Sequence, residues 1–154
     1  MQIALGGWTS SNYAAVACPD FPTCQGQWWP AGDYRAAFEL HGASGYSYEG
    51  GVLGTAARTA IQLTHRLGAL VITLVLAGAA VSAWRLRNHL ARRAAGLVLV
   101  ALGAQLIIGI SMVLRGFPLW LATAHSAGAA CLLMATVALN HALRPTAGGA
   151  VSSA

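Results

Sequence analysis

Apolar residues in this chain fall into long runs that charge interrupts at only a few places. A helix that crosses a bilayer needs about 20 predominantly apolar residues, and three runs reach that length. They cover 59–84, uncharged between Arg66 and Arg85; 94–114, between Arg93 and Arg115; and 117–143, between Arg115 and Arg144. A first run, 1–17, is shorter and breaks into the polar stretch Thr9-Ser10-Ser11-Asn12. It reads as the outer part of a truncated helix, so the chain is expected to be a fragment. Its start lacks the basic segment and cleavage site of a signal peptide. The pattern predicts an all-α protein: a transmembrane four-helix bundle with a long outer loop over 18–58. A Gly-, Ser- and Ala-rich tail, 145–154, is expected to be disordered. No internal repeat stands out.

Composition strengthens the membrane reading. The chain is 56% apolar and 8% charged, with mean hydropathy +0.59, whereas about a quarter of a soluble domain carries charge. The formal charge of +5 does not point to nucleic acid, because of where the arginines sit. Arg85, Arg87, Arg92 and Arg93 crowd one connector without an acid, which marks a cytoplasmic loop. The segment from Cys18 to Arg58 carries Asp20, Asp33, Glu39 and Glu49 against two arginines, so it faces outward. The expectation is a multi-pass protein of the cell inner membrane, with both ends cytoplasmic and the cysteine loop periplasmic.

The outer loop holds Phe21, Trp28, Trp29, Tyr34, Phe38, Tyr46 and Tyr48, side chains suited to a membrane–water boundary. Asp33 is placed to cap a short interfacial helix, Tyr34 to His41, with Tyr34 and Phe38 on one face. Gly42, Gly45, Gly50, Gly51 and Gly54 would give a flexible return to the second helix.

Two histidines carry the chemistry. His65 lies six residues inside the expected start of the second helix, roughly 9 Å along it, and His125 seven residues after Pro118, roughly 10 Å. Both helices run the same way, so the imidazoles reach one depth, as an iron with two axial histidines requires. Gly68-Ala69 follows His65 and Gly128-Ala129 follows His125, small residues that would admit a flat macrocycle. Arg66, and Arg58 near the helix entrance, are placed to meet haem propionates. A lone membrane histidine can instead bond a neighbouring helix, and Gly/Ala faces are ordinary packing. Two at one depth favour a shared ligand, since buried ionisable groups in membranes are costly. Zinc lacks a third or fourth ligand at that level. His89 and His141 do not supply a second haem pair, and His41 reads as a surface residue. Cys18 and Cys24 flank five residues with two prolines on the oxidising side, so a disulfide is favoured over two free thiols. Cys131 reads as a small packing residue.

The run Gly6-Gly-Trp-Thr-Ser-Ser-Asn-Tyr-Ala-Ala15, then Cys18-Pro-Asp-Phe-Pro-Thr-Cys-Gln-Gly-Gln-Trp-Trp-Pro30, resembles the C-terminal half of proteobacterial haem A synthase. So do Thr64-His-Arg-Leu-Gly-Ala69 and Pro118-Leu-Trp-Leu-Ala-Thr-Ala-His125. The resemblance implies two similar four-helix halves that together oxidise the C8 methyl of haem O to a formyl group for cytochrome oxidase. It implies haem b between His65 and His125 in this half, with the substrate haem and a catalytic glutamate in the other. Gln62 stands three residues before His65, where the substrate half has that carboxylate, so no catalytic residue is expected here. The implied partners are the N-terminal half or a second copy, haem O and the haem O synthase that supplies it, and membrane lipid. A stand-alone b-type electron carrier and a haem-handling assembly protein are the alternatives.

Overall fold

In the computed structural model residues 1–39 and 52–144 are described. The predicted tail and much of the glycine-rich return, including His41, lie outside the described residues. Five α-helices follow in order: α1 (Gln2–Ser11), α2 (Tyr34–Phe38), α3 (Thr55–Trp84), α4 (His89–Leu114) and α5 (Leu119–Leu143). No strand occurs among the described residues, and α3, α4 and α5 are each long and apolar enough to cross a membrane. The protein is an all-α, multi-pass membrane bundle. Large apolar side chains such as Leu70, Val71, Leu74, Val100, Ile107 and Val137 are exposed on its flanks, as in a surface that meets lipid or a packed partner.

The helix ends differ from the expected ones for local reasons. α1 stops at Ser11 rather than near Ala17. There the Asn12 side chain bonds the Trp8 carbonyl at 2.9 Å, and Tyr13 adopts a left-handed φ of 52°. A 3-10 turn, Ala15–Ala17, leads on into the cysteine loop. α4 starts five residues early because Asn88 caps it, accepting from the amides of Leu90 and Ala91 at 2.9 and 3.2 Å. Arg92 and Arg93 are therefore helical. Asp33 caps α2 as expected, accepting from Ala36 N at 3.0 Å, but the helix closes at Phe38.

At 30 residues, α3 is roughly 45 Å long, some 15 Å more than a hydrocarbon core of about 30 Å. Its surplus lies at the loop end, where Ala57, Thr59, Ala60, Ile61, Gln62 and Leu63 are buried. Ala14, Ala37, Ala57, Ala60 and Ile61 form a small core there, flanked by Trp8, whose indole N–H bonds the Ala37 carbonyl at 2.9 Å. Gly32 lies so close that an added Cβ would come 3.1 Å from the Ala60 Cβ. At the opposite end Ala80, Ala83, Ala94, Ala95, Val98 and Leu139 form a second core among α3, α4 and α5. α4 packs along both α3 and α5, while α3 and α5 barely touch.

Candidate functional site

α1 packs on α3, and α5 packs on α4. Each pair brings a glutamine against a histidine. The Gln2 amide nitrogen donates to the His65 carbonyl at 2.9 Å and meets His65 Nδ1 at 3.1 Å. The Gln105 amide nitrogen donates to the His125 carbonyl at 2.9 Å and meets His125 Nε2 at 3.4 Å.

Glycines complete both contacts. A Cβ on Gly6 would lie 3.3 Å from His65 Cε1, and one on Gly109 would lie 3.0 Å from His125 Cε1. These two glycines let each ring lie against the neighbouring backbone. A Cβ on Gly68 would strike Gln2 Oε1, and one on Gly128 would strike Gln105 Oε1. The small residues after each histidine thus make room for a carboxamide, where sequence reasoning expected room for a macrocycle.

The chain carries an internal structural repeat: Gln-x-x-x-Gly on α1 and α4, His-x-x-Gly on α3 and α5. Gln2 and Gln105 each stand nine residues before their helix's loop end, at Ser11 and Leu114. The histidines do not share that count: His65 is ten residues past Thr55 and His125 six past Leu119. The difference of four residues is about one helical turn, which α3 adds beneath the loop. His125 Nδ1 is buried with no hydrogen-bond partner, and His65 Nε2 bonds no group among the described residues.

The disulfide Cys18–Cys24 forms, with both cysteines fully buried against Leu63. Arg66 latches this loop to α3. Its Nη1 donates to the Thr23 carbonyl at 2.7 Å, and its Nη2 to the carbonyls of Cys18 and Asp20 at 3.1 and 2.8 Å. Its guanidinium also lies over the Phe21 ring, 5.7 Å from the centroid. Arg66 was expected at haem propionates, but its two terminal nitrogens are committed to the loop. Pro19 and Pro22 remove two amide donors from that short segment, so its carbonyls take a side-chain donor. The Asp20 carboxylate accepts from Thr23 Oγ1 and from the amides of Gln25 and Gly26, at 2.6 and 3.0 Å for the amides. The Thr23 hydroxyl, first of these, holds the Asp20 carboxyl below its usual range. Gln25 ties the loop to α3 through Thr59 Oγ1 at 3.0 Å.

Gln62 is buried, with its Oε1 unpartnered. His89 and His141 are exposed at the far end. Cys131, expected inside, is exposed on α5. Among the described residues no three ligating side chains converge.

The sequence pattern of the cytochrome oxidase assembly proteins (COX15-CtaA) matches residues 1–137. The chain belongs to this family. It is 41% identical over 143 residues to the haem A synthase of Shewanella oneidensis, covering 92% of this chain and 42% of that protein. It is 35% identical over 140 residues to the haem A synthase of Methylobacterium radiotolerans, covering 89% and 35%. With that of Paracoccus denitrificans it shares 29% over 144 residues, covering 94% and 35%. This cytochrome oxidase assembly family member thus spans less than half the length of these curated relatives. No solved structure matches it.

The glutamines and their partner glycines, Gly6 and Gly109, escaped sequence reasoning. Their signal was the Gln-x-x-x-Gly spacing shared by α1 and α4, hidden because only α4 has a full apolar run around it.

Proposed function

We propose that this chain is the haem b-holding, C-terminal half of a haem A synthase, the enzyme that oxidises the C8 methyl of haem O to a formyl group. One observation carries the reading. Two histidines on separate helices each lie against a glutamine and a glycine of the helix behind them, His65 meeting Gln2 through Nδ1 and His125 meeting Gln105 through Nε2. Two imidazoles, with no third ligating side chain converging among the described residues, fit a haem, whose ring would supply the remaining iron ligands. A metal that needs four protein ligands finds no such set among the described residues. When bound, the haem supplies one-electron redox chemistry.

His65 and His125 would hold the iron. Gly6 and Gly109 let the two rings approach the helices that back them. Leu63 and the buried disulfide keep water from α3 on the loop side. Gln62 cannot exchange a proton as a carboxylate can, so the acid–base work belongs to the half of the enzyme that lies outside this chain. That N-terminal half, or a second copy, would present haem O, which a haem O synthase supplies. The membrane would be the cell inner membrane, with the arginine connector cytoplasmic and the disulfide loop periplasmic. A stand-alone b-type carrier would use the same histidines. It gives no reason for a loop stapled and latched one residue from His65.

Co-expression with an N-terminal half of a relative tests the proposal: haem A should accumulate with both halves present. Two folded, co-purifying halves that leave haem O unchanged would refute it.

A further inference from the structure

All the acidic residues of the chain, Asp20, Asp33, Glu39 and Glu49, precede α3, and none follows. Around the connector from α3 to α4 stand Arg85, Arg87, Arg92 and Arg93, all exposed. Their countercharge does not come from α3, α4 or α5, which hold no acid. Beside these arginines a groove of about 260 Å³ opens on the flank of the bundle. It is lined by Val81, Trp84 and Arg85 at the end of α3 and by Leu99 of α4. A close approach builds it: a Cβ on Gly96 would lie 3.1 Å from Trp84 Cζ3, so the glycine lets the indole rest against α4 and wall the groove. Val81 and Trp84 are nonetheless each 45% exposed.

Arg92, Gly96 and Leu99 fall at i, i+4 and i+7 on α4, one stripe of the helix. Arg92 therefore stands one turn, roughly 5 Å, nearer the connector than Gly96, while Arg85 lines the groove itself. Arg93 lies about 100° further round α4, on the side of the exposed Leu97 and Val100. Topology alone would explain four arginines in a connector. It does not explain an open tryptophan seated on a glycine beside two of them.

We propose that this groove holds one phospholipid of net negative headgroup, its phosphate between Arg85 and Arg92 and an acyl chain along Val81, Trp84 and Leu99. The inference rests on the membrane bundle and not on the haem reading. A free phosphate would leave the apolar slot unfilled. A second copy of the chain, meeting this one through the same patch, would set arginine against arginine.

Native mass spectrometry of the full chain in detergent, titrated with dioleoyl phosphatidylglycerol or dioleoyl phosphatidylcholine, tests the inference. The wild type should retain phosphatidylglycerol in preference. Arg85→Gln with Arg92→Gln should hold it about 30-fold more weakly, since each arginine near an anionic surface contributes about fivefold. Arg87→Gln with Arg93→Gln removes the same charge away from the groove and should keep most of the preference. Val81→Trp, at an exposed site, fills the slot with every arginine in place and should also weaken retention. Should the first double variant fail to fold, Arg92→Gln alone should cost about fivefold. Equal losses in the two double variants, or equal retention of both lipids by the wild type, would overturn the inference. So would displacement of the lipid by equimolar inorganic phosphate, or a chain dimer that excludes lipid from the groove.

Discussion

Replacing Arg66 by alanine should unlatch the disulfide loop from α3. Three carbonyl oxygens, of Cys18, Asp20 and Thr23, accept from one guanidinium at 2.7 to 3.1 Å. A hydrogen bond to a charged group contributes about 1.5–3 kcal/mol. Three that share one side chain are not additive, and the freed carbonyls gain water. A total of roughly 3 kcal/mol is therefore reasonable, and each 1.4 kcal/mol is about tenfold in an equilibrium. Cys18 and Cys24 are 0% and 1% exposed, so a thiol reaches their bond only after the loop lifts, and the reduction rate reports that opening. Arg66→Ala should speed reduction by dithiothreitol about 100-fold, read as maleimide labelling of two new thiols beyond Cys131. Arg66→Lys should fall between, near tenfold, because a single ammonium cannot fork to three carbonyls. Reduction of Arg66→Ala at the wild-type rate, with the fold intact, would refute the latch.

The loop should also respond to acid. Asp20 is held below its ordinary value of 3.8, so its contribution is present above that value and fades as pH falls through the lower folded value. Reduction by a phosphine should stay slow down to about pH 4 and quicken below it, and Asp20→Asn should be fast throughout. Gly128→Ala should push the Gln105 carboxamide aside, since the new methyl meets its oxygen, and so move the His125 ring-nitrogen signals seen with 15N-histidine labelling. Gly32→Leu should strip the loop from α3, because even a Cβ lies 3.1 Å from that of Ala60; the cost of such overpacking is about 1–3 kcal/mol, measurable by thermal unfolding.

The three long helices were legible because lipid demands unbroken apolar runs, and α3, α4 and α5 supply them. The Asp33 cap of α2 was equally plain, since a helix start leaves donors that a nearby carboxylate meets. The early start of α3 was not legible. Thr55 to Arg58 look like loop by hydropathy, and only the packing of Gly32, Ala37 and Trp8 over them makes a helix favourable there. Arg66 misled for a similar reason. Next to His65 it suggests an anion, but two prolines in the loop leave carbonyls that take both its terminal nitrogens. The glutamines stayed hidden because sequence spacing along one helix does not reveal which helix stands opposite.

The central claim is that His65 and His125 share one iron. Its most direct test is the reduced-minus-oxidised optical spectrum of the purified chain reconstituted with haem, for the wild type, His65→Ala and His125→Ala. One low-spin b-type haem per chain is expected in the wild type, with loss of that low-spin spectrum in either variant. A low-spin signal that survives one of the two substitutions unchanged would contradict it.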